Sequence, residues 1–241
     1  MGCIPPALRC AGRNPKGRRP VSENTEASES NVRIDIRLVL HELAAKRKLF
    51  HSEADFQHAL AWGIHERYPD CSIRLEFTPS EPSPRLHVDI WVAHAGTVTA
   101  IELKYKTRLL RADVDGDAFH LTSHAAEDLG RYDFLKDVCR LERITSARGA
   151  TGYAVLLTND SAYWVSARGN DTVYAAFQIH EGRHLEGTMS WASHAGAGTM
   201  RGREEPIQLQ GRYEAHWENY SQVQPISMPY SRFRYLLIEV R

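Results

Sequence analysis

Residues 87–106, HVDIWVAHAGTVTAIELKYK, constrain the chain more than any other stretch. Leu86, Val88, Ile90 and Val92 alternate with His87, Asp89, Trp91 and Ala93. A period of two marks a strand with two distinct faces. His94-Ala95-Gly96 predicts a turn, and 97–105 resumes with β-branched residues, as the second arm of a hairpin does. Glu102 and Lys104 are two apart, so they project from one face of that arm. Asp89, on the first arm, can be brought opposite them. Two carboxylates and a lysine then meet on an otherwise apolar hairpin.

Two carboxylates can hold a hard, oxygen-seeking ion such as Mg²⁺, which keeps waters and takes phosphate oxygens into its shell. The carbonyl of Leu103, between Glu102 and Lys104, can join them. Such an ion activates water and stabilises charge building on phosphorus. A lysine beside it can hold a phosphate oxygen or position the attacking water. The same residues also fit a plain salt bridge between neighbouring strands.

The elements around the hairpin are predicted from periodicity and capping. Ile34, Leu38 and Leu43, with Val39 and Leu40, give a helical stripe over residues 31–48. Ser52 is a good N-cap with Asp55 three residues on, and Phe56, Leu60 and Ile64 mark the apolar face of a second helix that ends at Tyr68-Pro69. Glu53 and Gln57 share a face of it. His51, His58 and His65 recur every seven residues, too far apart for shared ligation, and read as a polar strip. Residues 71–77 suit a strand and 78–84 a loop, while 113–117, DVDGD, reads as a surface loop without the spacing of a calcium-binding loop. Leu129, Tyr132, Leu135, Cys139 and Ile144 predict a helix of about twenty residues from periodicity. The continuous apolar run 152–158, GYAVLLT, then predicts a fully buried central strand. A strand, a crossover helix and a strand make an α/β unit with a mixed sheet flanked by helices.

The spacing of Asp89, Glu102 and Lys104, D-x12-E-x-K, resembles the PD-(D/E)XK phosphodiesterase superfamily, over roughly residues 50–160. The signature proline is missing, since His87-Val88 precede Asp89. The resemblance implies a restriction-endonuclease-like core and a Mg²⁺-dependent nuclease, with Mn²⁺ as a substitute ion, that hydrolyses phosphodiester bonds, most often of DNA. It implies Asp89, Glu102, Lys104 and Glu53 as catalytic residues, Glu53 because nucleases of this superfamily often carry a glutamate on the preceding helix. Asp89, Glu102 and the Leu103 carbonyl would hold the ion. Gln57, Asp128, Arg131 and Tyr132 would support the site or touch the nucleic acid, the last three as a variant of a polar residue and tyrosine four apart on the later helix. A homodimer is common in the superfamily. Two alternatives remain: a catalytically silent nucleic-acid-binding or scaffold domain of the same fold, and an α/β binding domain in which the motif is accidental.

At 241 residues the chain suits one domain, over 31–241, with a disordered basic and polar tail over 1–30. Its 30 basic and 30 acidic side chains cancel, so a nucleic-acid surface has to be local rather than global. Cys3, Cys10, Cys71 and Cys139 have neither metal-binding spacing nor a disulfide pattern. The start has no secretory apolar region, and Pro6 departs from the myristoylation pattern after Met1-Gly2-Cys3, so a soluble, cytoplasmic protein without a membrane partner is expected. Tyr163-Trp164 and residues 174–179 are expected as further strands. Residues 181–206 are expected as a long loop whose Arg183, His184, Trp191, Arg201 and Arg203 line a nucleic-acid groove, and 235–240 as a final strand.

Overall fold

The computed structural model describes residues 33–79, 87–166 and 172–241, so the expectation for residues 1–30 lies outside the described residues. Two helices come first. α1 (Ile36–Lys46) is capped by Asp35, whose side chain accepts from Leu38 N–H. α2 (Glu53–Arg67) is capped by Ser52, whose side chain accepts from Asp55 N–H. Asp55 reaches back to His51 N–H and takes a two-pronged pair from Arg47, which fixes the entry to α2.

The strands β1 (Ser72–Phe77), β2 (Val88–His94) and β3 (Thr97–Lys106) form an antiparallel meander. Ala95 and Gly96 both take positive φ in the β2–β3 turn, the geometry that matches the twist of a two-residue hairpin. A small hairpin follows, of β4 (Leu110–Val114) and β5 (Asp117–Leu121). Its turn is Asp115-Gly116, again with φ positive at both residues, so the stretch expected as a surface loop is a hairpin. Asp-Gly between short flanking runs was the signal for it.

α3 (Glu127–Arg148) then crosses over to β6 (Thr151–Thr158), which lies parallel to β3. Gly149 ends α3 in the left-handed conformation that favours glycine. The chain continues through β7 (His184–Met189), β8 (Ile207–Glu214), β9 (Trp217–Gln222) and β10 (Arg232–Val240). The central sheet has six strands in the order β1-β2-β3-β6-β10-β9, and it is mixed. β7 and β8 pair separately.

Both faces of the sheet are covered. Phe56, Leu60 and Ile64 of α2 and Leu40 of α1 pack on Ile101, Leu103, Tyr105, Val155 and Leu157. Val138, Leu141 and Ile144 of α3 pack on Ala100, Ala154, Leu156, Leu236 and Ile238. Alternate residues of β6 therefore enter two different cores, and this is why its sequence is continuously apolar. The fold is α/β.

Two further expectations need correction. Residues 163–164 and 174–179 hold turns and a 3₁₀ turn at Ala175–Phe177, not strands. Tyr163, Phe177 and Ile179 are buried against α3 without a partner strand, so aromatic content there reflected packing rather than pairing. Within the expected loop 181–206 lies β7. Gly187, at positive φ, takes the inward position between buried Leu185 and buried Met189, so the alternation of β7 lacks its middle apolar residue, and the register shift opposite it falls on β8. No helix among the described residues is long and apolar enough to cross a membrane.

Candidate functional site

The site follows from how β3 changes partners along its length. Its ladder with β2 runs from His94↔Thr97 to Ile90↔Ile101. Its ladder with β6 runs on to Lys106↔Thr158. Beyond Ile101 one edge of β3 therefore has no strand beside it, and its backbone donors need other acceptors. Leu103 N–H donates to Asp89 Oδ2 at 2.7 Å, and Tyr105 N–H donates to Glu53 Oε2 at 2.8 Å. Two carboxylates thus replace a strand along the open edge, one from the start of β2 and one from the first turn of α2.

Gln57 holds Asp89 from behind. It is buried on the apolar face of α2, and its Nε2 donates to the Asp89 carbonyl and to Glu76 Oε1, both at 2.7 Å. Glu76 sits at φ 49°, a left-handed kink in β1 between the pairs Leu75↔Ile90 and Phe77↔Val88. That kink coincides with the handover of the Asp89 carbonyl from a strand partner to Gln57.

Glu102 and Lys104 point to the other side, under α3. Lys104 Nζ pairs with Asp137 Oδ2 at 2.7 Å and also donates to the Leu103 carbonyl at 3.2 Å. Arg140 Nη2 touches Asp137 Oδ1 at 2.9 Å and ion-pairs Glu102 Oε2. Charges of alternating sign, Lys104, Asp137, Arg140 and Glu102, run under α3, with Asp89 opposite Glu102 across the strand pair. The Glu102 side chain is fully buried, and its Oε1 has no hydrogen-bond partner among the described residues.

Burial sets the electrostatics. It raises the Asp89 carboxyl above its ordinary value, against the pull of Leu103 N–H and the Lys104 charge. Burial raises Glu102 further, reinforced by Asp137 and opposed by Arg140. Asp137 is also raised by burial, with Lys104 and Arg140 opposing. Burial alone would lower Lys104, but Asp137 beside it more than reverses this, so the ammonium stays charged.

Of the residues singled out by sequence, Asp89, Glu102, Lys104, Glu53, Gln57 and the Leu103 carbonyl gather around the open half of β3. Asp128, Arg131 and Tyr132 do not. Tyr132 is buried against Phe177 and Trp191 and donates to the Glu205 carbonyl. Arg131 is buried over the rings of Tyr163 and Tyr174 and donates to the Ala162 carbonyl. Asp128, half-buried near the start of α3, lies where its charge acts on Tyr163 and Arg203. These positions anchor the segment after β6 to α3. Arg203 and Trp191 of the expected groove serve the same end, Arg203 in a fork on Asp133 and buried Trp191 donating to the Arg203 carbonyl.

The charged residues of α3 that meet Lys104 and Glu102 are Asp137 and Arg140, which sequence reasoning passed over. One signal was present: Asp137 shares the stripe of Phe134, Val138 and Leu141, so a charge was falling on a core-facing position.

A cavity of about 460 Å³ opens beside Glu53, lined by His51, Lys106, His120 and His124 among others. A groove of about 740 Å³ between α1 and α2 is larger, but none of the residues of the β3 site lines it. Volume is a poorer guide here than the convergence of buried charges. Among the described residues no group of three or more His, Cys, Asp or Glu is arranged to hold a metal ion, and the ligand set expected from the sequence has two carboxylates, Asp89 and Glu102, with the Leu103 carbonyl. No protein-family model matches the chain. No curated protein matches it either.

Proposed function

We propose that the chain is a metal-dependent phosphodiesterase of the PD-(D/E)XK type, built on a restriction-endonuclease-like core. Its substrate is nucleic acid, and the specific proposal is a Mg²⁺-dependent nuclease acting on DNA. The observation that carries the reading is the open half of β3, where Asp89 and Glu53 take backbone donors that a strand would otherwise take, beside Glu102 and Lys104.

The donor set fits Mg²⁺, which needs only one or two carboxylates and fills its shell with water and phosphate oxygens. Glu102 offers an Oε1 with no hydrogen-bond partner among the described residues, and Asp89 keeps Oδ1 outside its bond to Leu103. A bound ion would supply an activated water and neutralise charge on the phosphate. The chain's own residues do the rest. Leu103 N–H and Gln57 fix the carboxylate and the backbone of Asp89. Asp137 keeps Lys104 charged and aimed, so that Lys104 can hold a phosphate oxygen or orient the water. Glu53 fixes the Tyr105 end of the edge. Lys106, on the wall of the cavity beside Glu53, offers a cation to a neighbouring phosphate.

The test is cleavage of single-stranded, double-stranded and branched DNA in Mg²⁺, Mn²⁺ or EDTA, for wild type beside Lys104→Ala. Metal-dependent cutting should fall at least about 100-fold in the variant, the typical loss when one transition-state donor is removed. Full cutting by Lys104→Ala overturns the assignment. One observation favours a second reading, a silent nucleic-acid-binding domain: Arg140 and Asp137 already neutralise the Glu102 and Lys104 charges. Salt-sensitive DNA binding by both proteins with no cutting by either selects that reading.

A further inference from the structure

Two arginines of this fold bind fork-on. Arg203 uses Nε and Nη2 on the two oxygens of Asp133, and Arg47 uses Nη1 and Nη2 on the two oxygens of Asp55. Two parallel contacts fix a guanidinium in position and orientation. Arg140, like Arg131 and Arg234, is held through Nη2 alone, but among the described residues only Arg140 bridges two buried carboxyl groups of this site. Its contacts with Glu102 and Asp137 both run through Nη2, and its buried Nε has no hydrogen-bond partner among the described residues. It is also the most exposed member of the charged group, with 26% of its side chain open to solvent against 17% for Lys104, 8% for Asp137 and 0% for Glu102.

A buried carboxylate needs a countercharge, and losing it leaves an uncompensated charge in a poor solvent. At Glu102 that countercharge comes from a side chain that uses one nitrogen for both of its contacts and has a path to solvent. Its other anchor, Asp137, lies three residues back on the same helix.

We propose that Arg140 is a displaceable counter-ion for Glu102, which holds the carboxylate until a divalent cation takes over and the guanidinium withdraws to Asp137. This rests on the metal-dependent reading above and adds a control to it: Arg140 competes with the ion and sets how much of it the site needs. Charge balance at Glu102 is then kept both with and without metal, and a replacement of the arginine makes the site more, not less, receptive to a cation.

The experiment measures Mn²⁺ and Mg²⁺ binding to the full chain by calorimetry, with no nucleic acid present. Wild type is compared with Arg140→Gln, Glu102→Gln and the double variant. Arg140→Gln should bind Mn²⁺ about tenfold tighter or more, within the range by which groups around metal ligands tune affinity. The gain should vanish in the double variant. An unchanged affinity in Arg140→Gln, or a gain that survives Glu102→Gln, overturns the proposal. Should Arg140→Gln not fold without metal, it is refolded in Mn²⁺. Recovery of the folded state supports the exchange of one cation for the other, and no recovery overturns it.

The DNA cleavage assay separates this proposal from the one beneath it. Tighter Mn²⁺ binding without cutting by either protein keeps the counter-ion and removes the nuclease. Cutting by wild type with the same Mn²⁺ affinity in Arg140→Gln keeps the nuclease and removes the counter-ion.

Discussion

The two ends of β3 are made of one strand and obey different rules. From Thr99 to Ile101 the backbone is paired on both sides, by β2 and by β6, and the side chains there are buried and mostly apolar. From Glu102 onward pairing survives only on the β6 side. Carboxylates of Asp89 and Glu53 take the free donors, and Glu102 and Lys104 face Asp137 and Arg140. The first end is held by hydrocarbon burial, which does not depend on charge state. The second is held by ionisable groups, so its stability depends on pH, salt and bound ions. A sheet becomes a site where its hydrogen bonds pass from backbone to side chains that can also do chemistry.

The largest effect should come from the paired end. Ile101 is fully buried between β2 and β6. Ile101→Ala should lower unfolding free energy by about 2–5 kcal/mol, as removal of a core isoleucine does. Denaturant titration at pH 5 and pH 8 should give the same loss at both. A loss that differs strongly with pH would mean that the paired end shares the electrostatics of the other.

Glu102→Gln should have a smaller effect, with a pH dependence that the first substitution lacks. Burial raises the Glu102 carboxyl, with Asp137 adding to it and Arg140 opposing, so the fold favours its protonated form. That contribution is complete below the ordinary glutamate value of 4.5 and is lost as pH rises through the raised folded value. Glutamine stays neutral throughout. The variant should therefore gain stability relative to wild type as pH climbs from 4.5 toward neutral. Melting temperatures across that range test it. A difference that does not change with pH would show that Glu102 is an ordinary ion-pair partner, and would remove the argument that a carboxylate is kept there at a cost in stability.

These contrasts explain what was legible in the sequence. The hairpin could be read because alternation at period two places Glu102 and Lys104 on one face, and the β2–β3 register sets Asp89 opposite. α2 was visible through Ser52 and its apolar stripe, and β6 through a run that only burial on both faces explains. What stayed hidden depended on contacts distant in sequence. Tyr163 and Phe177 look like strand residues until α3 is placed over them. Gly187 hides β7 by leaving its apolar alternation without a middle side chain. Asp137 and Arg140 look like solvated helix charges unless the face that α3 turns to the sheet is followed residue by residue. Positions 128–132 have a suitable helical interval, but the crossover brings the helix onto Glu102 and Lys104 two turns later. Spacing within one element was readable, whereas the phase of a helix over a sheet was not.

The smallest change in stability belongs to Glu53→Gln, and it probes the comparison most directly. Glu53 is exposed at the start of α2, and its one hydrogen bond into the sheet among the described residues accepts Tyr105 N–H. An amide oxygen accepts that bond as well, so the loss in stability should stay below about 1 kcal/mol, the usual net worth of a single hydrogen bond. The negative charge beside Asp89 and Lys104 disappears, however. Metal-dependent cleavage should therefore drop by about tenfold or more while the melting temperature barely moves, since electrostatic groups at a reacting centre act far beyond their share of stability. The opposite outcome, a large fall in melting temperature with cleavage intact, would make Glu53 a structural substitute for a missing strand. The open end of β3 would then be held by the same logic as the paired end, with carboxylates serving as backbone acceptors and nothing more.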